Sequence, residues 1–343
     1  MFRFPRHASK LWARLTLAIL AGIAAGPSPL RAEVTEVKIT RGYGTVYLAL
    51  MVMEQNQLLE KHAKAAGLGD LKINYLVLDG GNVINDALLT GSLDIAATGV
   101  PGFLTLWAKV KGSAQEISAL SALSTSPMYL NSTNPKVKTL RDFTEGDRIA
   151  LPGVKTSLPA GVLQMLVAHE FGQENYAKLD SLTVSLPYPD AMAAMISGSP
   201  EITGHMASPP FCFIELDYPH VHRVMSSVDV LGKITLMVTM TSKRFHDANP
   251  KVCAAFVAAL DEANKFIAAN PEQAARDYVA AAKVKATTDD ILRVLKDPNT
   301  GYSITPDGIM KWADFLHAVG RIKVKPKTWQ ELFFPEAAGL PGS

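Results

Sequence analysis

Cysteine is nearly missing from this 343-residue chain: Cys212 and Cys253 are the whole supply. Two thiols exclude a disulfide framework and a cysteine-rich metal or iron–sulfur centre. Charge is also sparse, 19% of residues, and almost evenly split, with 34 Lys and Arg against 32 Asp and Glu. That balance lacks the basic footprint of a nucleic-acid-binding protein. Long apolar runs are missing too. The strongest, Leu15–Ala25, is far shorter than the ~20 residues a membrane helix needs. The usual catalytic signatures are absent in turn. Gly42-Tyr43-Gly44 has Tyr47 where a dinucleotide fingerprint needs its third glycine, and Gly153-Val154-Lys155-Thr156 lacks the Gly-Lys pair of a phosphate loop. His169-Glu170 has no second histidine at zinc-protease spacing, and no Gly-x-Ser-x-Gly elbow occurs. His220 and His222 share one face of a strand but have no third ligand, so no metal is expected. No catalytic set is visible, and no cofactor is implied.

What is present begins with an address. Arg3, Arg6, Lys10 and Arg14 precede the apolar run, and Gly26-Pro27-Ser28-Pro29 and Leu30-Arg31-Ala32 follow it, with no acid before Glu33. Basic, apolar and small-residue regions in that order describe a secretory signal peptide, here residues 1–32 with cleavage after Ala32. No cysteine lies near that junction, so no lipid anchor is expected. The mature protein is expected in the periplasm. Its 48% hydrophobic content is ordinary for a globular chain, and its length suits about two domains.

The mature chain alternates strands and helices, as covered parallel sheets do. Strands are expected at Val34–Ile39, Lys72–Leu78, Leu93–Ala97 and Ile117–Ser124, with helices from near Val46, over Val83–Thr90 and after Pro101. The series restarts after Leu140-Arg141-Asp142-Phe143. Strands follow at Arg148–Leu151, Ser181–Leu186 and Glu201–His205, with helices over Leu158–Phe171 and Asp190–Ser197. Ala87-Leu88-Leu89-Thr90-Gly91-Ser92-Leu93-Asp94-Ile95 overlays Ala194-Met195-Ile196-Ser197-Gly198-Ser199-Pro200-Glu201-Ile202 at the same place in both series. Two similar lobes are expected. From about Pro250 the pattern is helical, over Val252–Ala269, Glu272–Ala282, Thr288–Lys296 and Pro306–Val319.

Several stretches, in this order, carry a resemblance: Gly42-Tyr43-Gly44-Thr45 after the first strand, Asp86–Ala96, Leu140–Phe143 with Arg148–Gly153, Asp190–Gly198, Asn249-Pro250-Lys251-Val252, Asn270–Ala274 and Trp312–Leu316. The chain resembles the solute-binding proteins of ABC importers for nitrate, sulfonates, taurine and bicarbonate, a superfamily whose relatives bind thiamine-precursor pyrimidines or aromatic carboxylates. Pro200-Glu201 departs from the family, which more often has a hydrophobic residue and Asp there. The resemblance implies an α/β, two-lobed periplasmic binding protein fold (type II), each lobe a mostly parallel sheet flanked by helices. Lobe one is then 33–124 with 232–343 and lobe two 125–231, with the ligand cleft between them. It implies a monomer that captures a small organic anion and delivers it to a permease and ATPase at the inner membrane.

In such a cleft, strand ends collect helix N-termini, whose free N–H groups bind anions. Four turns are therefore candidates. Tyr43, Gly44 and Thr45 form the first, with Thr45 as cap or hydroxyl donor. Gly99, Val100 and Pro101 form the second. Thr156 and Ser157 form the third and are the best anion donors. His205 and Ser208 form the fourth, and Tyr188 stands ready to close over the ligand. Phe103, Trp107, Phe211 and Phe213 lie near these turns; any that faced the cleft would favour an aromatic or apolar ligand body over bare nitrate or bicarbonate. Two alternatives stand beside the importer reading. One is a thiamine-pyrimidine-precursor binder or synthase-like enzyme, though only Cys212 occupies the region of that enzyme's cysteine-rich motif. The other is a ligand-sensing module for a membrane receptor.

Overall fold

A computed structural model describes residues 1–2, 32–78, 80–282 and 284–343. The signal-peptide segment lies almost wholly outside the described residues. The chain divides into a short unit, Met1–Glu33, and a compact one, Val34–Ser343, to which all the described strands belong. Among the described residues no helix is long and apolar enough to cross a membrane.

In chain order the strands are β1 (Glu36–Arg41), β2 (Lys72–Val77), β3 (Ile95–Gly99), β4 (Ile117–Thr125), β5 (Tyr129–Ser132), β6 (Ile149–Leu151), β7 (Thr183–Ser185), β8 (Gly204–Ala207), β9 (His222–Ser226), β10 (Met237–Ser242) and β11 (Gly301–Tyr302). One sheet runs β11-β4-β10-β3-β1-β2 and the other β7-β6-β8-β5-β9. Each is the centre of a lobe. This is the two-lobed α/β fold expected, with one refinement: the sheets are mixed. β1 pairs in parallel with β2 and β3, and β6 with β7 and β8. β10 enters antiparallel between β3 and β4, and β5 antiparallel between β8 and β9. The parallel half of each sheet is the βαβ series visible in the sequence. β5 and β10 are instead the strands that follow the two passages of the chain from one sheet to the other.

The burial pattern shows why these segments take these places. Every residue of β3, IAATG, is buried, as befits a strand covered on both faces. Helix Leu158–Phe171 is buried without interruption from Leu158 to Val167, so it lies inside the molecule and has no solvent stripe. Gly161 on it receives Pro101: a Cβ there would stand 2.7 Å from the Pro101 ring and 3.3 Å from Trp312. The repeat is visible in three dimensions. Gly91 and Gly198, equivalent in the overlay, both take left-handed backbone (φ 73° and 69°) at the ends of matching helices, where glycine carries no Cβ penalty.

Several boundaries moved: the first strand, expected at Val34–Ile39, runs Glu36–Arg41, the third, expected at Leu93–Ala97, runs Ile95–Gly99, and the helix expected from Asp190 begins at Tyr188. The strand expected at Glu201–His205 pairs only from Gly204, because exposed Glu201 and the preceding Pro200 form a turn. The helix expected from Val83 begins at Gly81. Both cysteines are buried, and they form no disulfide with each other. His220 and His222 hydrogen-bond separate carbonyls, of Met195 and Val137, and no metal-holding group of side chains occurs among the described residues.

Candidate functional site

Strands β1, β2, β3, β6 and β7 point their C-terminal ends at one seam between the lobes. A helix begins just beyond each: Thr45–Tyr47 (a 3-10 turn), Gly81–Leu89, Val100–Val110, Leu158–Phe171 and Tyr188–Ser197. The starts at Gly81, Val100 and Tyr188 have no side-chain cap. Uncapped first-turn N–H groups and the positive end of the helix dipole favour an anion. The twofold internal match recurs here, since Gly81 and Tyr188 open equivalent helices in the two halves and both line the seam.

The lining combines Tyr43, Val46, Tyr47, Ile84, Leu158, Tyr188 and Met237 with the backbone of Gly80, Gly81, Gly99 and Gly102 and the hydroxyls of Thr98, Thr156 and Ser157. Among the described residues no charged side chain lines it. The free space is about 30 Å³, room for one or two water molecules. The lobes touch. Cβ atoms built on lobe-one glycines show how closely: Gly99 would meet Leu158 Cβ at 2.6 Å, Gly81 the Thr156 carbonyl at 3.0 Å, and Gly44 the Ser208 hydroxyl at 2.8 Å. Glycine at these positions is what lets the two backbones approach.

Of the candidates read from sequence, Tyr43, Gly99, Thr156, Ser157 and Tyr188 meet in this seam. Ser157 caps its helix through Ala160 N–H and donates to the Gly153 carbonyl at 2.6 Å. The others lie beside or beneath the seam. Thr45 donates both its N–H (2.9 Å) and its hydroxyl (3.1 Å) to the Pro209 carbonyl of the opposite lobe, and accepts from the Tyr302 hydroxyl on its own carbonyl. Burial pushes the Tyr302 phenol up, which keeps it a neutral donor. Val100 N–H is engaged by the Leu236 carbonyl, and Pro101 packs under Gly161. His205 and Ser208 are fully buried. His205 sits below Tyr188, ring centroids 5.6 Å apart, with Nδ1 on Glu215 at 2.5 Å; Glu215 also accepts from Asn131. Phe211 stacks on Tyr188, while Phe103 and Trp107 belong to the main core, so tyrosines supply the aromatic lining.

Sequence reasoning missed the Gly80-Gly81 start. The available signal was a glycine pair after a strand and before an apolar helix, the same signal that marked Gly99.

The sequence profile of the NMT1-like family matches residues 31–284. No curated protein sequence matches the chain. Among solved structures, the alkanesulfonate-binding protein SsuA from Xanthomonas axonopodis pv. citri, bound to MOPS, superposes with a TM-score of 0.66. It is 18% identical, over 86% of this chain and 96% of that one. The periplasmic aliphatic sulphonate-binding protein SsuA from Escherichia coli gives 0.62 at 19% identity, over 87% and 98%. The periplasmic nitrate-binding protein NrtA from Synechocystis PCC 6803 gives 0.63 at 15% identity, over 87% and 84%. These likenesses establish the periplasmic binding protein fold.

Proposed function

The chain belongs to the NMT1-like family, and from that premise we propose that it is the substrate-binding component of an ABC importer. It captures a small organic anion in the interlobe seam and hands it to a membrane permease and its ATPase. The observation that carries this reading is the convergence of helix starts from both lobes on one uncharged seam. An anion there is met by backbone dipoles and hydroxyls. Tyr43, Tyr47, Tyr188 and Met237 offer an apolar and aromatic surround, which suits a sulfonate or carboxylate with an organic body better than bare nitrate or bicarbonate. The sulfonate-binding proteins of the same fold support that class.

The moving bodies are taken as 33–124 with 232–343 and 125–231, so Thr125–Met128 and Ser227–Leu236 carry the hinge. With about 30 Å³ between them, the lobes must part before a ligand enters. In this reading the segment 1–32 is an export signal, and the mature protein acts in the periplasm as a monomer.

The test is a melting-temperature panel on purified protein stripped of ligand by unfolding and refolding. It holds taurine, alkanesulfonates, aromatic carboxylates, nitrate, bicarbonate and thiamine-related pyrimidines. A ligand at 100 times its Kd adds about 2.7 kcal/mol of stability, a shift of roughly 5–10 °C. A shift confined to sulfonates or carboxylates supports the reading. A refolded protein that responds to none of them overturns it.

A further inference from the structure

A second pocket, of about 320 Å³, lies where helix Thr288–Leu295 meets the five-stranded sheet. Its walls come from two parts of the chain: Tyr129, Phe213 and Arg223 from lobe two, and Arg293 and Lys296 from the returning C-terminal segment. Four of these side chains form a continuous stack. The Arg223 guanidinium lies 4.9 Å over the Tyr129 ring, Tyr129 stacks on Phe213 at 5.1 Å, and the Arg293 guanidinium lies 5.7 Å from the Phe213 centroid. Burial pushes the Tyr129 phenol up, so it is neutral at the floor of the pocket.

The two ends of the stack differ in charge. Arg293 is neutralised by a two-pronged bond to Asp217, at 2.7 and 3.1 Å. Among the described residues, no carboxylate pairs with Arg223 or with Lys296. Asp297 lines the same pocket and remains a carboxylate, its Oδ1 held by Asn299 N–H at 2.8 Å and so oriented by the backbone. The concavity thus gathers three cations, Arg223, Arg293 and Lys296, against the carboxylates of Asp217 and Asp297, one positive charge in excess. An arginine laid on an aromatic face is restrained in its rotamer and keeps its fork of donors.

We propose that this pocket is a second ligand site, for a small free polyanion of the phosphate or polycarboxylate class, held between Arg223 and Lys296. A polyanion there bridges lobe two and the returning segment, so its binding is coupled to the relative placement of the two. The volume falls within the range of small-molecule pockets, and a guanidinium fork matches the oxygens of phosphate and carboxylate.

The experiment is calorimetric titration of the purified protein with inorganic pyrophosphate and with citrate, at ionic strength held constant with sodium chloride. Saturable one-to-one binding is expected, with a Kd at or below about 1 mM. Lys296→Glu, at an exposed position, weakens it at least tenfold, and Arg223→Gln does the same. Lys64→Glu, the same charge change on an exposed residue of the distant helix Leu58–Ala65, leaves it unaltered. Absence of binding by the unmodified protein overturns the proposal. So does an equal loss in Lys64→Glu and Lys296→Glu, which would mark a general charge effect, or full affinity in both Lys296→Glu and Arg223→Gln.

Discussion

Replacing Gly99 by alanine puts a methyl carbon 2.6 Å from Leu158 Cβ and 3.3 Å from its Cα. Apolar carbons rest at about 3.5–4.0 Å, so the lobes must separate by about 1 Å at this point. The backbone of Gly99 is extended, φ −64° and ψ 143°, a conformation alanine adopts freely. Lobe one therefore folds without strain, and the loss of glycine's freedom in the unfolded chain contributes about 0.4–1 kcal/mol of stability. The cost falls on closure. Overpacking of this kind costs about 1–3 kcal/mol, which lowers the population of the touching arrangement by a factor of roughly 5–150. Pairs of spin labels on the two lobes, read by pulsed electron resonance without ligand, should show the distance distribution move to longer values in Gly99→Ala. Gly146→Ala, where a Cβ meets only Thr144 Oγ1 at 3.6 Å, should not change it. An unchanged distribution in a well-folded Gly99→Ala protein would refute the reasoning, because the lobes would then not be touching at Leu158 in solution.

Thr45→Val keeps the shape of the side chain and removes its hydroxyl bond to the Pro209 carbonyl; it should weaken closure by about 0.5–1.5 kcal/mol, seen in the same label distances, and no change would count against this contact. Burial pushes the Asp147 carboxyl up, but bonds from Asn134, Thr144 and Thr203 outweigh it and leave the group below its ordinary value. A lowered folded pKa gives stability that is present above the unfolded value, about 3.9, and lost as pH falls through the folded one. Asp147→Ala should therefore cost about 1–3 kcal/mol near neutrality and flatten the fall in stability below about pH 4, measured by urea unfolding; parallel pH profiles would contradict this. Cys212 and Cys253 are buried, and burial pushes the Cys212 thiol up, so a thiol reagent should label neither in the folded protein and both in denaturant. Rapid native labelling of Cys212 would show that its surroundings open.

Local pattern and long-range contact were unequally visible in the sequence. Helix Leu158–Phe171 was bounded correctly because Ser157 caps it, Pro159 sits in its first turn and Gly172 ends it. The repeat located the equivalent turns at Gly91 and Gly198. β5 and β10 were not read as strands, since TyrLeuAsnSer and MetValThrMetThrSer mix polar and apolar residues without a clean alternation. Their polar side chains are buried by partners far along the chain, as Ser121 and Thr239 pair hydroxyl to hydroxyl at 2.7 Å. The site followed the same rule. Gly99, Thr156 and Tyr188 were accessible as turns after strands, whereas Gly80-Gly81 looked like an interruption before a helix. Thr45 carried every mark of a ligand donor. In the structure its hydroxyl and N–H meet a carbonyl 164 residues away, a contact that only the docking of the lobes creates.

The most direct test of the anion-binding account is a crystal structure of the protein with the ligand that raises its melting temperature. The account predicts that the anionic group lies between the lobes, within hydrogen-bonding distance of N–H groups at the helix starts of Gly81, Val100 or Leu158 and of the Thr156 or Ser157 hydroxyl, with its organic part against Tyr43 or Tyr188. A ligand bound outside this seam, or one whose charge is met by lysine or arginine side chains with no helix start in contact, would contradict it.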